Sequence, residues 1–97
     1  MTGLLHAEAL QELDDAIAWY EQRREGLGLE LLAEVQSAIS LAIAHPKRFP
    51  EAANGVRRCQ TNRFPYGILY TCPGEQLFVV AVMHLHRDPD YWKHRIS

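Results

Sequence analysis

The chain has 97 residues, of which 47% are hydrophobic and 23% charged, and its formal net charge is −2. This composition excludes a disordered or fibrous protein, and the length predicts one domain over residues 1–97. The slight acidity gives no general attraction to nucleic acid. The two cysteines match neither a disulfide framework nor a zinc motif. We find no signal peptide and no uninterrupted apolar run of membrane-spanning length, which predicts a cytoplasmic protein that does not enter the membrane.

The first half of the chain is predicted to form an edge strand followed by a helix hairpin. Residues 2–6 are short and apolar enough for the strand. Two later stretches each carry an apolar stripe at helical spacing: Leu10, Leu13, Ile17 and Tyr20 in the first, and Leu32, Val35, Ile39 and Ile43 in the second. The segment Gly26-Leu27-Gly28 between them is so short that the helices must lie antiparallel. The acidic residues on the other side of the first helix are interpreted as a solvated face.

The second half is predicted to form three strands, over residues 56–61, 67–72 and 77–86. Asn54-Gly55 and Pro73-Gly74 are strong turn signals. Because the links are short, the strands should form an antiparallel meander. The sequence therefore predicts an α+β fold with element order β-α-α-β-β-β, in which the helix hairpin packs on one face of a small antiparallel sheet.

The last predicted strand changes abruptly from apolar to ionisable residues. Strand alternation predicts one face with Leu77, Val79, Ala81, Met83 and Leu85, and another with Phe78, Val80, Val82, His84 and His86. Histidines followed by Arg87 where a strand leaves its sheet occupy a common position for working residues. A histidine there is suited to acid–base chemistry and an arginine to holding a phosphate, although His84 as a buried structural residue is an equal alternative. His84 and His86 alone do not make a metal site, so no metal is predicted.

Basic residues are concentrated in the second half of the chain, which predicts a positive patch on the sheet surface away from the helices. Such a patch suits an anionic partner. The candidates for binding a target or an anion are Arg57, Arg58, Arg63, His84, His86 and Arg87. Neighbouring strand residues face opposite ways, so the alternative is that Arg57 or Arg58 pairs with an acidic side chain.

Several short motifs together resemble the RelE/ParE family of bacterial type II toxins. They are Trp19-Tyr20-Glu21, Gly26-Leu27-Gly28, His45-Pro46-Lys47-Arg48-Phe49-Pro50, Arg57-Arg58, Arg63-Phe64-Pro65-Tyr66, Tyr70, Ala81-Val82-Met83-His84 and Arg87-Asp88-Pro89-Asp90-Tyr91-Trp92. The resemblance runs nearly end to end and implies the fold that the periodicity predicts. It also implies a toxin that is held inactive by a cognate antitoxin.

The family resemblance leaves three functions open. ParE-like members inhibit DNA gyrase, RelE-like members cut messenger RNA on the ribosome, and a third possibility is a non-toxic relative that only binds the antitoxin. If the chain were RelE-like, Arg87, Tyr91 and Arg58 would be its catalytic residues. However, Gly67 stands where the nucleases often carry an arginine. We therefore favour gyrase inhibition, and whether the chain is an enzyme stays open; no cofactor is implied.

The resemblance also predicts where the antitoxin binds. An acidic or amphipathic antitoxin segment is expected to cover apolar surface on the helix hairpin and to engage the basic sheet face, forming a hetero-oligomer. The predicted contact residues are Trp19, Leu29 and Leu31, which we expect to be partly exposed.

Overall fold

The computed structural model describes residues 3–96 and places two helices against a five-stranded sheet. The elements in chain order are β1 (Gly3–Leu5), α1 (Ala7–Arg23), α2 (Leu27–Ala44), β2 (Glu51–Ala53), β3 (Val56–Gln60), β4 (Tyr66–Thr71), β5 (Leu77–His84) and a final 3₁₀ turn (Lys93–Arg95). The predicted α+β fold with a helix hairpin is confirmed. The strand order in the sheet is β1-β5-β4-β3-β2.

The sheet is mixed, which differs from the prediction at both of its edges. Strands β2 to β5 form an antiparallel meander, as expected, but β1 pairs parallel to β5 with Gly3 opposite Leu77. A parallel pairing is possible because both helices lie between β1 and the rest of the sheet in sequence. The short strand β2 was not predicted; it pairs with β3 across the Asn54-Gly55 turn.

A close approach between the two helices is built around Gly28. A Cβ on Gly28 would lie only 2.6 Å from the carbonyl oxygen of Ile17 on α1. The Glu21 carboxylate accepts hydrogen bonds from the backbone N–H groups of Gly26 (2.8 Å) and Gly28 (3.0 Å). These groups at the start of α2 would otherwise be unsatisfied, so α1 provides the N-terminal cap of α2.

The buried sides of the helices are rotated from the predicted stripes. In α2 the buried residues are Gly28, Leu31, Val35, Ala38 and Ala42. Leu32, Ile39 and Ile43 of the predicted stripe lie about 100° further around the helix, where they are partly buried against the same core. Leu31 is therefore fully buried, and the expectation that it is partly exposed is wrong. In α1 the buried residues are Ala9, Leu13 and Ala16, and the two small alanines let the helix lie close to the sheet. Leu10 lies off this buried line and is 49% exposed.

A β-bulge overturns the predicted faces of β5. Leu69 is opposite Ala81 but Tyr70 is opposite Val79, so Val80 is an extra residue. Beyond the bulge the alternation changes phase: Val82 joins Leu77 and Val79 in the core beneath the helices, while Val80, Ala81 and Met83 pack on the outer face. Strand β5 also ends at His84, two residues before the predicted end.

The outer face of the sheet is covered by the C-terminal segment, residues 85–96. Trp92 is only 1% exposed and packs with Val56, Leu69, Val80, Ala81 and Met83, and Tyr91 and Ile96 pack at the edge of this cluster. The helices cover one face of the sheet and the C-terminal segment covers the other. This explains why the central strands have no solvent-exposed apolar face.

Helix α2 is long and apolar enough, by length and composition alone, to cross a membrane. The sequence expectation missed this property because Glu30 and Glu34 interrupt the apolar run. One such helix is weak evidence for a span, since a core helix satisfies the same test. The buried side of α2 packs in the core described above.

Candidate functional site

A groove of about 360 Å³ lies between α1 and the end of β5. Its lining combines aromatic and ionisable side chains: Glu12, Asp15, Ala16, Trp19, Tyr20, Tyr66, Val82, His84 and Arg87. The bulge in β5 is what turns Val82 and His84 towards this side of the sheet. Two of the residues predicted to bind a target, His84 and Arg87, therefore lie here together with the predicted antitoxin contact Trp19.

Glu12 joins α1 to the open edge of β5. Strand β1 ends opposite Val79, so the next backbone groups of β5 have no neighbouring strand on that side. The Val82 N–H donates to the Glu12 carboxylate at 3.1 Å, and the Val80 carbonyl accepts from Nη1 of Arg95 at 3.0 Å. Side chains thus replace the missing strand and satisfy these backbone groups.

The same carboxylate holds the C-terminal segment in place. Arg95 donates to Glu12 through Nη1 at 2.9 Å and Nη2 at 3.2 Å, and only 4% of the Arg95 side chain is exposed. The Tyr91 hydroxyl also donates to Glu12, and Arg87 Nη1 lies 3.4 Å from it. Paired charges can remain buried because each satisfies the other. Glu12, Tyr91, Arg87 and Arg95 therefore form one network, the Glu12 network.

Tyr91 and Arg87 come together as predicted, but the Tyr91 hydroxyl is occupied by Glu12, whereas the Arg87 side chain is 53% exposed. The Arg87 guanidinium carbon lies 3.7 Å from the centroid of the Tyr91 ring. Burial, followed by the hydrogen bond to Glu12, raises the pKa of Tyr91 well above its ordinary value. The phenol is protonated at neutral pH, as an ordinary tyrosine also is, and it donates to Glu12.

The wall of the groove is a row of aromatic rings in edge-to-face contact. The ring centroids are 4.8 Å apart for Trp19 and Tyr20, 6.3 Å for Tyr20 and Tyr66, and 5.3 Å for Tyr66 and His84. Burial, together with the neighbouring Tyr20, raises the pKa of Tyr66 to about 12. Nδ1 of His84 accepts from the His86 backbone N–H at 3.1 Å, while His86 itself is exposed. This wall offers a continuous aromatic surface whose polar groups are the ring substituents and the imidazole.

Arg58 lies at a different place. It lines a cavity of about 250 Å³ on the outer face of the sheet, with Leu69, Met83, Asp90 and Trp92 among its neighbours. A Cβ on Gly67 would lie 3.0 Å from Cδ and 3.1 Å from Cγ of Arg58, so the arginine stem covers the glycine. The structure does not bring Arg58 into the Glu12 network.

The remaining predicted arginines do not form one basic patch. Arg57 donates to the Phe49 carbonyl at 2.7 Å and lines a third cavity beside Lys47. Arg63 pairs with Glu34 at 2.6 Å and with Glu30 at 3.0 Å. The prediction of a single positive surface is wrong, because the arginines point from different strands and loops and Arg63 is neutralised by α2.

Of the three predicted antitoxin contacts, Trp19 lines the groove and is 49% exposed, and Leu29 is 67% exposed on α2. Leu31 is fully buried, so it offers no surface to a partner. Among residues 3–96, no group of three or more His, Cys, Asp or Glu side chains is placed to hold a metal ion.

Sequence reasoning missed Glu12 and Arg95. Glu12 was assigned to the solvated acidic face, but only 14% of its side chain is exposed. A signal was present: Glu12 lies three residues after Ala9 and four before Ala16, both of which are buried, so it shares their side of α1. Arg95 carried no comparable signal, since its position depends on how the C-terminal segment folds back.

Comparison with known proteins gives the family. The family model described as ParE toxin of type II toxin-antitoxin system, parDE, matches residues 4–89. Among solved structures, the chain is similar to one described as the chromosomal ParDE TA system from P. aeruginosa, with a TM-score of 0.63 and 16% identity over 89% of this chain and 97% of that chain. That identity shows a shared fold alone, and no curated protein is significantly similar in sequence. Because the family model matches most of its length, the chain belongs to the ParE toxin family of type II toxin–antitoxin systems.

Proposed function

We propose that this toxin inhibits DNA gyrase by surface recognition and does not cleave RNA. The observation that carries the proposal is the Glu12 network, which holds both Tyr91 and Arg87 through one carboxylate. A recognition surface needs only groups that are fixed in place, whereas a nuclease needs fixed groups that also keep a proton or a donor available for the phosphate and its leaving oxygen. The Tyr91 hydroxyl already donates its proton to Glu12, which favours recognition over catalysis.

The alternative of ribosome-dependent RNA cleavage requires several charged groups at one phosphate. The three residues predicted for that chemistry lie in two places: Arg87 and Tyr91 in the Glu12 network, and Arg58 at the outer-face cavity. Gly67 supplies no charge where the nucleases often have an arginine, and the Arg58 stem lies over it. These features support gyrase inhibition over nuclease activity.

The groove beside α1 is the part of the surface best suited to a protein partner. Aromatic side chains that are rigid and partly exposed dominate the energetics of protein interfaces. Trp19 is such a residue, and Tyr20, Tyr66 and His84 form a wall behind it. We infer that a segment of the cognate antitoxin covers this groove and thereby blocks gyrase binding. The toxin then acts in the bacterial cytoplasm, where gyrase is found, and is stored in a toxin–antitoxin hetero-oligomer.

The test is supercoiling of relaxed plasmid by purified gyrase, with increasing amounts of the full chain and with or without the antitoxin encoded beside it. We expect supercoiling to fall, cleaved DNA to accumulate, and the antitoxin to reverse both effects. Full supercoiling at a large molar excess of folded toxin would refute gyrase inhibition.

If gyrase is not inhibited, a second assay separates the two remaining alternatives, RNA cleavage and a non-toxic relative. Toxin added to translating ribosomes produces codon-spaced messenger RNA cuts if it is RelE-like, and those cuts should disappear in Tyr91→Phe and Arg87→Ala. If the chain affects neither gyrase nor messenger RNA, and cells expressing it alone grow normally, it is a non-toxic antitoxin-binding relative. Under the gyrase proposal, the messenger RNA stays intact.

A further inference from the structure

A cavity of about 210 Å³ lies at the opposite end of β4 from the groove. Tyr66 at the start of this strand lines the groove, whereas Thr71 at its end lines the cavity, so the two sites are about 17 Å apart along the strand. We call this site the Lys47–Arg57 cavity. Its lining residues are Pro46, Lys47, Gly55, Arg57, Tyr70, Thr71, Cys72 and Gly74.

The lining of the Lys47–Arg57 cavity contains two cationic side chains and no acidic one. Neither Lys47 nor Arg57 takes part in the ion pairs of residues 3–96, which use Arg24, Arg63, Arg87, Lys93, His94 and Arg95. The acidic residues nearest to the lining in sequence lie outside it: Glu51 lines the outer-face cavity, and Glu75 is exposed in the turn. A concave site that carries charge of one sign concentrates ions of the opposite sign. The cavity therefore suits an anion.

The Arg57 guanidinium is held in place by the protein and still has donors to offer. Its Nη1 donates to the Phe49 carbonyl at 2.7 Å, and none of its remaining N–H groups donates to a residue that the structure describes. The partly exposed Thr71 hydroxyl also makes no side-chain hydrogen bond within residues 3–96. Because the guanidinium is already oriented, it loses little freedom when it binds a ligand.

The rest of the cavity is built from a buried tyrosine and two turns. Tyr70 is only 1% exposed, and its hydroxyl donates to the Pro46 carbonyl at 2.8 Å. This hydrogen bond ties β4 to the loop that carries Lys47, so it keeps the lysine beside Arg57. A Cβ placed on Gly55 or Gly74 would meet no heavy atom within 4 Å, so the two turns leave the mouth of the cavity open.

We propose that the Lys47–Arg57 cavity binds a phosphate group. The planar guanidinium of Arg57 matches two phosphate oxygens, Lys47 adds a compact positive charge, and the Thr71 hydroxyl donates to a third oxygen. The group belongs either to a DNA backbone or to a small phosphate compound, since the same donors bind both. The cavity is separate from the groove, so this inference does not depend on gyrase inhibition.

The test is an NMR titration of the isotope-labelled full chain with sodium phosphate, with sodium chloride keeping the ionic strength constant. We expect saturable shifts of the Thr71 and Gly74 backbone amides. Arg57→Gln should weaken phosphate binding by about tenfold or more. The matched control is Arg58→Gln, the next residue of β3, which lines the outer-face cavity and should stay within about twofold of wild type. Lys47→Gln, at an exposed loop position, provides a second variant if Arg57→Gln unfolds.

A second titration uses a short DNA duplex and identifies the source of the phosphate group. Binding of the duplex that Arg57→Gln weakens assigns the group to a nucleic-acid backbone. Binding of inorganic phosphate without binding of the duplex assigns it to a small phosphate compound.

Three results would overturn the proposal. The first is the absence of saturable shifts at Thr71 and Gly74 up to high millimolar phosphate. The second is equal phosphate affinity in wild type, Arg57→Gln and Lys47→Gln. The third is sodium acetate that binds as tightly as phosphate, because the cavity would then be a site for carboxylates, such as acidic side chains of the antitoxin.

Discussion

At the scale of single residues, Glu12 connects α1, the edge of β5 and the C-terminal segment through one carboxylate. Its partners include the Val82 N–H and the Arg95 guanidinium, whose side chain is only 4% exposed. The remaining acceptors near Arg95 are Glu8 at 3.3 Å and the Val80 carbonyl. Loss of the Glu12 charge would therefore leave a buried arginine with a weakened set of partners.

We predict that Glu12→Gln lowers the free energy of unfolding by about 3 kcal/mol, because breaking a buried ion pair leaves one charge uncompensated. Urea unfolding followed by circular dichroism measures the change. The matched control is Asp15→Asn, an exposed position on the same helix that contacts Gln11, where we expect a change below about 0.5 kcal/mol. Equal stability of the two variants would show that the Glu12 network contributes little to the fold.

At the scale of secondary-structure elements, the contact between α1 and α2 predicts whether replacing Gly28 by alanine stabilises or destabilises the protein. In an exposed helix, replacing glycine by alanine stabilises by about 1 kcal/mol. At Gly28 the added methyl would lie 2.6 Å from the Ile17 carbonyl oxygen, so the helices must separate. We expect Gly28→Ala to destabilise the protein by about 1–3 kcal/mol, as overpacking does.

Thermal or urea unfolding distinguishes the two signs for Gly28→Ala. Ala33→Gly, at an exposed position of α2, calibrates the helix propensity and should cost about 1 kcal/mol. If Gly28→Ala raised stability, the gain in helix propensity would outweigh the steric cost at the Ile17 carbonyl. The close contact between α1 and α2 at Gly28 would then be wrong.

The elements also show what the sequence could and could not predict. The spacing of apolar residues predicted both helices, and the turn residues at Asn54-Gly55 and Pro73-Gly74 predicted the strand boundaries nearby. Strict alternation failed in β5, because a bulge depends on how Leu69 and Tyr70 pair with the neighbouring strand. That information is not local, so the faces of Val82 and His84, which line the groove, could not be read from spacing alone.

At the scale of the whole molecule, the acidic first half and basic second half attract each other instead of forming separate surfaces. Arg63 pairs with Glu30 and Glu34, and Arg87 and Arg95 pair with Glu12. The charge asymmetry was visible in the sequence, but which charges pair depends on the tertiary fold. The predicted basic patch failed for this reason, whereas the family and fold were predicted correctly from the motifs and periodicity.

The pairing of Arg63 with α2 predicts an acid-dependent loss of stability. Hydrogen bonds from Arg63 and Arg24 lower the pKa of Glu30. For Glu34, burial favours the neutral acid, but the backbone N–H and guanidinium of Arg63 outweigh it and lower the pKa. A lowered folded-state pKa stabilises the protein above the ordinary carboxyl pKa, near about 4.3, and this stabilisation is lost as the pH falls through the lowered value.

We therefore expect Arg63→Gln to be less stable than wild type at neutral pH, and the difference to shrink as the pH falls below about 4. Urea unfolding of both proteins across this range measures it. Arg48→Gln is a suitable control, since Arg48 is an exposed arginine outside these ion pairs. A stability difference for Arg63→Gln that does not vary with pH would show that the ion pairs of Arg63 with Glu30 and Glu34 are not its cause.

The central claim is that the groove lined by Trp19 is the recognition surface of a gyrase inhibitor. The most direct measurement is inhibition of gyrase supercoiling by wild type, Trp19→Ala and Leu10→Ala. Both residues lie on α1 and are 49% exposed, but only Trp19 lines the groove. We predict that Trp19→Ala weakens inhibition by about tenfold or more and that Leu10→Ala stays within about twofold of wild type. Equal inhibition by all three proteins would contradict the role of the groove, and no inhibition by wild type would contradict gyrase as the target.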